Sequence, residues 1–224
     1  MNNNLHLIFD FDGTMVDSFD TVIRKFNLLA GEFNFRYIDD HEINDLKNLT
    51  SKELIKHLNI PIYKIPKVIV RARALMRDEI PKLPAFVSLR EVIEEIRKMG
   101  IGLGILTSNS SENVTEWLKH NSLQNVFHFI HNESSYFGKK RILKKIIRNY
   151  NMDCSRTFYI GDETRDIEAA KACNIHSIAV TWGFNSEAVL LKHQPHFIVR
   201  KPEDILAIFK KENHITIGVK GCLI

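Results

Sequence analysis

Short apolar runs alternate with amphipathic helical patterns along most of this chain, and that alternation narrows its folds more than any other feature. Leu5 to Phe9, Ile101 to Thr107, Val126 to His131, Thr157 to Ile160 and His176 to Thr181 are β-type runs, with a weaker one at His196 to Val199. Between them, apolar residues recur at helical spacing: Leu89, Val92, Ile93 and Ile96 before Gly100, then Ile142, Leu143, Ile146, Ile147 and Tyr150. Further helices are expected at Glu112 to His120, Asp166 to Cys173 and Glu203 to Lys210. Continuously apolar strands are covered on both faces, and strands that alternate with helices pair in parallel through βαβ crossovers. The expected fold is therefore α/β, a doubly wound Rossmann-like parallel sheet, with ligand chemistry at the carboxyl ends of its strands.

The stretch from about Val16 to Leu83 breaks this rhythm. It reads as consecutive helices around Phe19 to Leu29, Ser51 to Leu58 and Lys67 to Glu79, punctuated by Pro61, Pro66, Pro81 and Pro84. The division expected is an α/β catalytic core of residues 1–15 and 84–211, an inserted helical cap of residues 16–83, and a tail, 212–224, that forms an added edge strand or a loose end. A chain of 224 residues has room for one core carrying such an insertion.

Composition excludes several classes of function. With 44% hydrophobic and 26% charged residues the chain is an ordinary globular sequence, not a disordered or collagen-like one. Its formal net charge is only +4, and Lys139 to Arg148 alone holds six cations and no acid, so the excess is local. That argues against nucleic acid as a stable partner. Cys154, Cys173 and Cys222 form no CxxC pair and suit a reducing compartment. No run approaches the roughly 20 apolar residues of a membrane helix, and the first residues carry no signal-peptide pattern. The expectation is a cytoplasmic monomer or homodimer without a membrane partner.

Chemistry gathers at the predicted strand ends. In Asp10-Phe11-Asp12-Gly13-Thr14 two carboxylates stand two residues apart, so both project to one side, one further along than the other. One suits attack and the other proton transfer, although an Asp pair before Gly is also a plain turn. After the strand at Thr157 comes Gly161-Asp162-Glu163-Thr164-Arg165-Asp166. Clustered carboxylate oxygens are the hard donors that Mg²⁺ takes, while Asp166 also suits a bare helix start. Thr107-Ser108-Asn109-Ser110 offers hydroxyls and free N–H groups for a phosphate, or simply a helix cap. Gly138-Lys139-Lys140-Arg141 offers a lysine to neutralise a phosphoryl group and keep a carboxylate ionised, or a solvated basic face.

In this order along the chain, the four pieces resemble the haloacid dehalogenase superfamily of phosphatases. DFDGTMVDS resembles its first motif, the Thr107 strand end its second, the Lys139 region its third and GDETRD its fourth. The inserted helices match the family's capped, phosphoglycolate phosphatase-like branch. The resemblance implies an Mg²⁺-dependent phosphomonoester hydrolase acting on a small phosphorylated metabolite through an aspartyl-phosphate. By resemblance Asp10 is the nucleophile, and Asp12 protonates the leaving alkoxide and then deprotonates water. Thr107 and Ser108 bind the phosphate, and Lys139 offsets charge around it. The Asp10 carboxylate, the Asp12 backbone carbonyl and Asp162 hold the metal, with Asp166 ligating through water or orienting the shell.

The departures are equally specific. Ser108 stands where many members carry Asn, and Gly138-Lys139-Lys140 replaces a common Lys-Pro-x-Pro, which leaves Lys140 as an alternative to Lys139. Glu163 and Arg165 also differ from the commoner residues. A phosphomutase of the same family, or a catalytically weak binding relative, remains the alternative reading. The cap cations Lys64, Lys67, Arg71, Arg73 and Arg77 read as a solvated face, the alternative being that one of them meets a substrate carboxylate or second phosphate. Hinges for cap closure are expected near Met15 to Ser18 and Lys82 to Phe86.

Overall fold

A computed structural model describes residues 4–132 and 138–212. The apolar runs become six strands: β1 (His6–Phe9), β2 (Gly102–Thr107), β3 (Phe129–Asn132), β4 (Thr157–Gly161), β5 (His176–Val180) and β6 (Phe197–Val199). They lie in the order β3-β2-β1-β4-β5-β6, and every neighbouring pair is parallel. Leu7 sits opposite both Leu103 and Phe158, which sets β1 at the centre. The winding direction reverses between β1 and β4, so a crevice opens at their carboxyl ends, where sheets of this kind take ligands.

Helices α1 (Phe19–Phe33), α2 (Ile43–Leu46), α3 (Ser51–His57) and α4 (Ile65–Met76) follow β1 without an intervening strand. They bury a cluster of their own, in which Leu29, Phe35, Leu58 and Val68 meet. Pro66 opens α4 earlier than the apolar spacing suggests, because proline is tolerated in a helix's first turn. The two crossings between this insertion and the sheet run side by side: Asp17 N donates to the Pro84 carbonyl at 3.1 Å, and Phe86 N to that of Met15 at 3.4 Å.

The remaining helices are α5 (Leu89–Lys98), α6 (Ser111–His120), α7 (Lys139–Asn149), α8 (Thr164–Lys171), α9 (Glu187–Lys192) and α10 (Pro202–Glu212). Alternation along β1 sends Leu7 and Phe9 to one face, with Ile93, Trp117 and Phe209 of α5, α6 and α10. It sends Ile8 to the other, with Leu143 and Ala170 of α7 and α8. Both faces are thus covered, as continuous strand apolarity requires.

Three local differences have local causes. The strand expected from Val126 begins at Phe129, because a turn holds Val126, its N–H donating to the Leu123 carbonyl at 3.1 Å. The short helices α2 and α9 carry too few turns for periodicity to reveal them. Residues 213–224, including Cys222 and the expected edge strand, lie outside the described residues. No helix among the described residues is long and apolar enough to cross a membrane.

Candidate active site

The crevice between β1 and β4 is lined by carboxylates held at close quarters. Asp10, just past β1, donates its N–H to the Ile160 carbonyl at 2.8 Å, which continues the sheet by one residue and fixes its side chain over the strand ends. Asp162 follows β4, and Asp166 stands in the first turn of α8. All three side chains are buried, and each offers an oxygen within 4.8 Å of the others.

Lys139 opens α7 and points into this group. Its Nζ lies 2.6 Å from Asp10 Oδ2 and 2.6 Å from Asp166 Oδ1, and its side chain is only 4% exposed. Lys140, one residue on, is exposed to solvent, since successive helix positions turn by about 100°. The structure therefore brings Lys139, and not Lys140, to the carboxylates.

Glycine makes the approach of the β1 loop feasible. Gly13 has φ +74°, and a Cβ there would stand 2.3 Å from both Asp162 Oδ2 and the Phe184 ring. Past this contact, Thr14 Oγ1 donates to Asp162 Oδ1 at 2.7 Å and Phe184 N donates to Oδ2 at 2.7 Å, so both oxygens of Asp162 are fixed. Asp166 Oδ2 accepts the Glu163 N–H at 3.1 Å.

The Asp12 carboxylate stands on Asn109, whose Nδ2 donates to its Oδ2 at 2.9 Å. Asn109 is in turn held by Asn113 Nδ2, which donates to its Oδ1 at 2.8 Å, and its own N–H donates to Thr107 Oγ1 at 2.8 Å. Thr107 is fully buried at the end of β2, and Ser108 faces a cavity beside Asp12. In the sequence Asn109 is part of a Thr-Ser-Asn-Ser junction that suits a phosphate or a helix cap, and nothing local marks its contact with Asp12, which spans 97 positions.

Electrostatics sharpen these differences. Burial pushes Asp10 above the ordinary carboxylate value, with Lys139 pulling back. Burial raises Asp12 too, and there the hydrogen bond from Asn109 is the largest opposing effect. Asp162 is raised well above its usual value by burial and then by the charges of Glu163, Asp10 and Asp166. Asp166 is pushed up to about 6 by burial against the pull of Lys139. Burial opposes charge on Lys139, yet Asp10 and Asp166 together raise its ammonium above the ordinary value. Among the described residues one lysine directly contacts two of the three buried carboxylates, so acid outnumbers base within the cluster.

Residues 7–180 match the family of haloacid dehalogenase-like hydrolases. This chain belongs to that family. A relative named phosphoglycolate phosphatase, from Synechococcus elongatus, is 30% identical over 89% of this chain and 94% of its own length. One named pyrophosphatase PpaX, from Bacillus mycoides, is 22% identical over 92% and 97%. The solved structure of a haloacid dehalogenase-like family protein from Streptococcus pneumoniae shares the fold at a TM-score of 0.75, with 23% identity, covering 93% of this chain and 100% of that one.

In this haloacid dehalogenase-like hydrolase the unusual residues of the fourth motif meet the inserted helices. Ser51 Oγ donates to Glu163 Oε2 at 2.7 Å, and Arg165 Nε donates to Glu163 Oε1 at 2.9 Å. Nearby, Asn185 Nδ2 donates to the Leu49 carbonyl at 2.9 Å and Ser186 N to that of Lys47 at 2.8 Å. Of the five cations of the inserted helices singled out in the sequence, Arg73 reaches the cavity beside Asp12. Lys64 donates to the Phe33 carbonyl at 2.8 Å, Arg71 pairs with Glu32, and Lys67 lines a groove on the outer side of α4.

Proposed function

We propose that this hydrolase is an Mg²⁺-dependent phosphatase that cleaves a small phosphomonoester through an aspartyl-phosphate on Asp10, with residues 16–83 acting as its cap. The single observation that carries this reading is the unequal setting of two carboxylates two positions apart. Asp10 has an ammonium 2.6 Å away, whereas Asp12 rests on a neutral amide. A charged partner keeps Asp10 an anion, and a buried carboxylate without one is suited to carry a proton.

A nearby carboxylate and a lysine alone do not neutralise a phosphate dianion. Asp10, Asp162 and Asp166 present only oxygen donors, buried and in excess of positive charge, which fits a hard divalent cation. Together with the Asp12 backbone carbonyl they would hold Mg²⁺, which when bound withdraws charge from the phosphoryl oxygens.

In the first half-reaction an Asp10 oxygen attacks phosphorus, the bond from phosphorus to the leaving oxygen breaks, and Asp12 gives that oxygen its proton. In the second, Asp12 takes a proton from water as the water oxygen attacks phosphorus. The bond to Asp10 then breaks and its carboxylate is restored. Thr107 and Ser108 at the end of β2, with Lys139, bind the phosphoryl oxygens. Asn109 positions Asp12. The similarity to relatives named phosphoglycolate phosphatase and pyrophosphatase PpaX supports phosphoryl-group hydrolysis without choosing between such substrates.

The test is hydrolysis of p-nitrophenyl phosphate with and without Mg²⁺. Turnover that needs the metal and disappears in Asp10→Asn is expected. Undiminished turnover by Asp10→Asn would remove the proposed nucleophile.

A further inference from the structure

The cavity beside Asp12 carries information about the group that leaves. It has a volume of about 170 Å³ and lies between the sheet's strand ends and the inserted helices. Asp12, Ser108 and Asn109 line it on the core side, and Ile23, Phe26, Leu54, Ile69 and Ala72 line it on the helical side. A leaving oxygen protonated by Asp12 thus has its carbon substituent directed toward an apolar wall.

Several of the polar groups around this wall are engaged by the protein itself. Lys47 Nζ sits 4.2 Å over the Phe19 ring and donates to the Gly183 carbonyl at 3.2 Å. Glu163 is held by Ser51 and Arg165, and Asn185 by Leu49. Arg73 lines the same cavity, and its backbone carbonyl accepts from Asn113 Nδ2 at 3.5 Å. Hydroxyls of a polyol placed against Ile23, Phe26 and Ile69 would give up water without gaining partners. An apolar cavity of roughly 150 Å³ is known to accept a benzene ring.

We infer that the preferred substrate is a monoester whose alcohol is compact and apolar, an aryl-methyl or branched alkyl group about the size of a benzene ring, rather than a polyol or a hydroxy acid. This rests on the phosphatase reading above and narrows its substrate class. Recognition then divides in two: the phosphate is held by charge at the strand ends, and the alcohol by apolar burial under the insertion.

The test compares kcat/KM for benzyl phosphate, 2-phosphoglycolate and glycerol 3-phosphate at saturating Mg²⁺, three alkyl esters whose leaving alcohols have similar basicity. Benzyl phosphate is expected to lead each of the others by about tenfold or more. Equal or better turnover of either polar ester overturns the inference while leaving the phosphatase reading intact, and a lead for phosphoglycolate would point to Arg73 as a carboxylate partner. No turnover of any ester, p-nitrophenyl phosphate included, overturns both. In Ala72→Phe, which fills the cavity, the ratio of kcat/KM for benzyl phosphate to that for phosphoglycolate should fall about tenfold. A misfolded fraction cancels from that ratio, so an unchanged ratio counts against the inference.

Discussion

Lys139 Nζ and Asp10 Oδ2 lie 2.6 Å apart although 129 positions separate them in the chain, and the same ammonium is 2.6 Å from Asp166. The lysine is the only cation in direct contact with these two carboxylates among the described residues. Its removal leaves both anions buried against each other.

Lys139→Ala should therefore lose stability by about 3 kcal/mol, the scale of breaking a buried ion pair, and lower turnover of p-nitrophenyl phosphate by about 100-fold or more. Lys140→Ala, at an exposed position, should change stability by no more than about 0.5 kcal/mol. Urea unfolding and steady-state kinetics on the two variants check this, and similar losses in both would reassign the lysine.

Gly13→Ala should be disproportionately harmful for a single methyl group. The positive φ and the 2.3 Å approach to Asp162 and Phe184 leave no place for it. A loss of about 1–3 kcal/mol is expected from the backbone conformation and crowding, together with weaker Mg²⁺ dependence as Asp162 is displaced. Thermal unfolding and an Mg²⁺ titration of activity measure the two effects.

Mg²⁺ should raise the midpoint of thermal unfolding, because a ligand that binds only the folded state stabilises it by mass action. Asp162→Asn should abolish that rise, since it removes one of the three clustered carboxylates. A full metal-induced shift in the variant would place the ion elsewhere.

Two histidines at the opposite end of the sheet should make folding sensitive to acid. Burial lowers His196 and His6 below the ordinary value of 6.5, with His176 and His128 adding repulsion respectively. Neutral rings are thus favoured in the folded state. Their contribution is fully present above pH 6.5 and is lost as pH falls from there through the lowered folded values. His196 Nδ1 accepts the Ser177 N–H at 3.1 Å, a role that the amide oxygen of Asn can imitate. His196→Asn should then lose less stability than the wild type between pH 7 and pH 5, as read from urea midpoints; an equal loss would exclude His196 from the acid response.

The sheet was legible in the sequence because a strand buried on both faces must be apolar throughout, and that signal is local. Leu5 to Phe9 and Ile101 to Thr107 needed no partner to be recognised. The acids of the first and fourth motifs were legible for the same reason: each follows directly on its strand, so its place at a carboxyl end comes with the strand itself. The inserted helices were visible as a break in rhythm, whereas α2 and α9 were too short to leave a period.

What pairs with what was decided only by the tertiary structure. Lys139 and Lys140 are chemically identical in the sequence, and a turn of the helix buries one and exposes the other. Asn109 looks like any helix cap until the β2 end is set beside the β1 loop, where its amide meets Asp12. Glu163 and Arg165 read as departures from a motif, yet Glu163, held by Arg165, accepts from Ser51 across the boundary with the inserted helices. Chain-local patterns determine which segments become strands and helices, because backbone geometry and burial act over a few residues. The charge state and contacts of a site depend on groups brought together from distant segments, and only the packed fold supplies them.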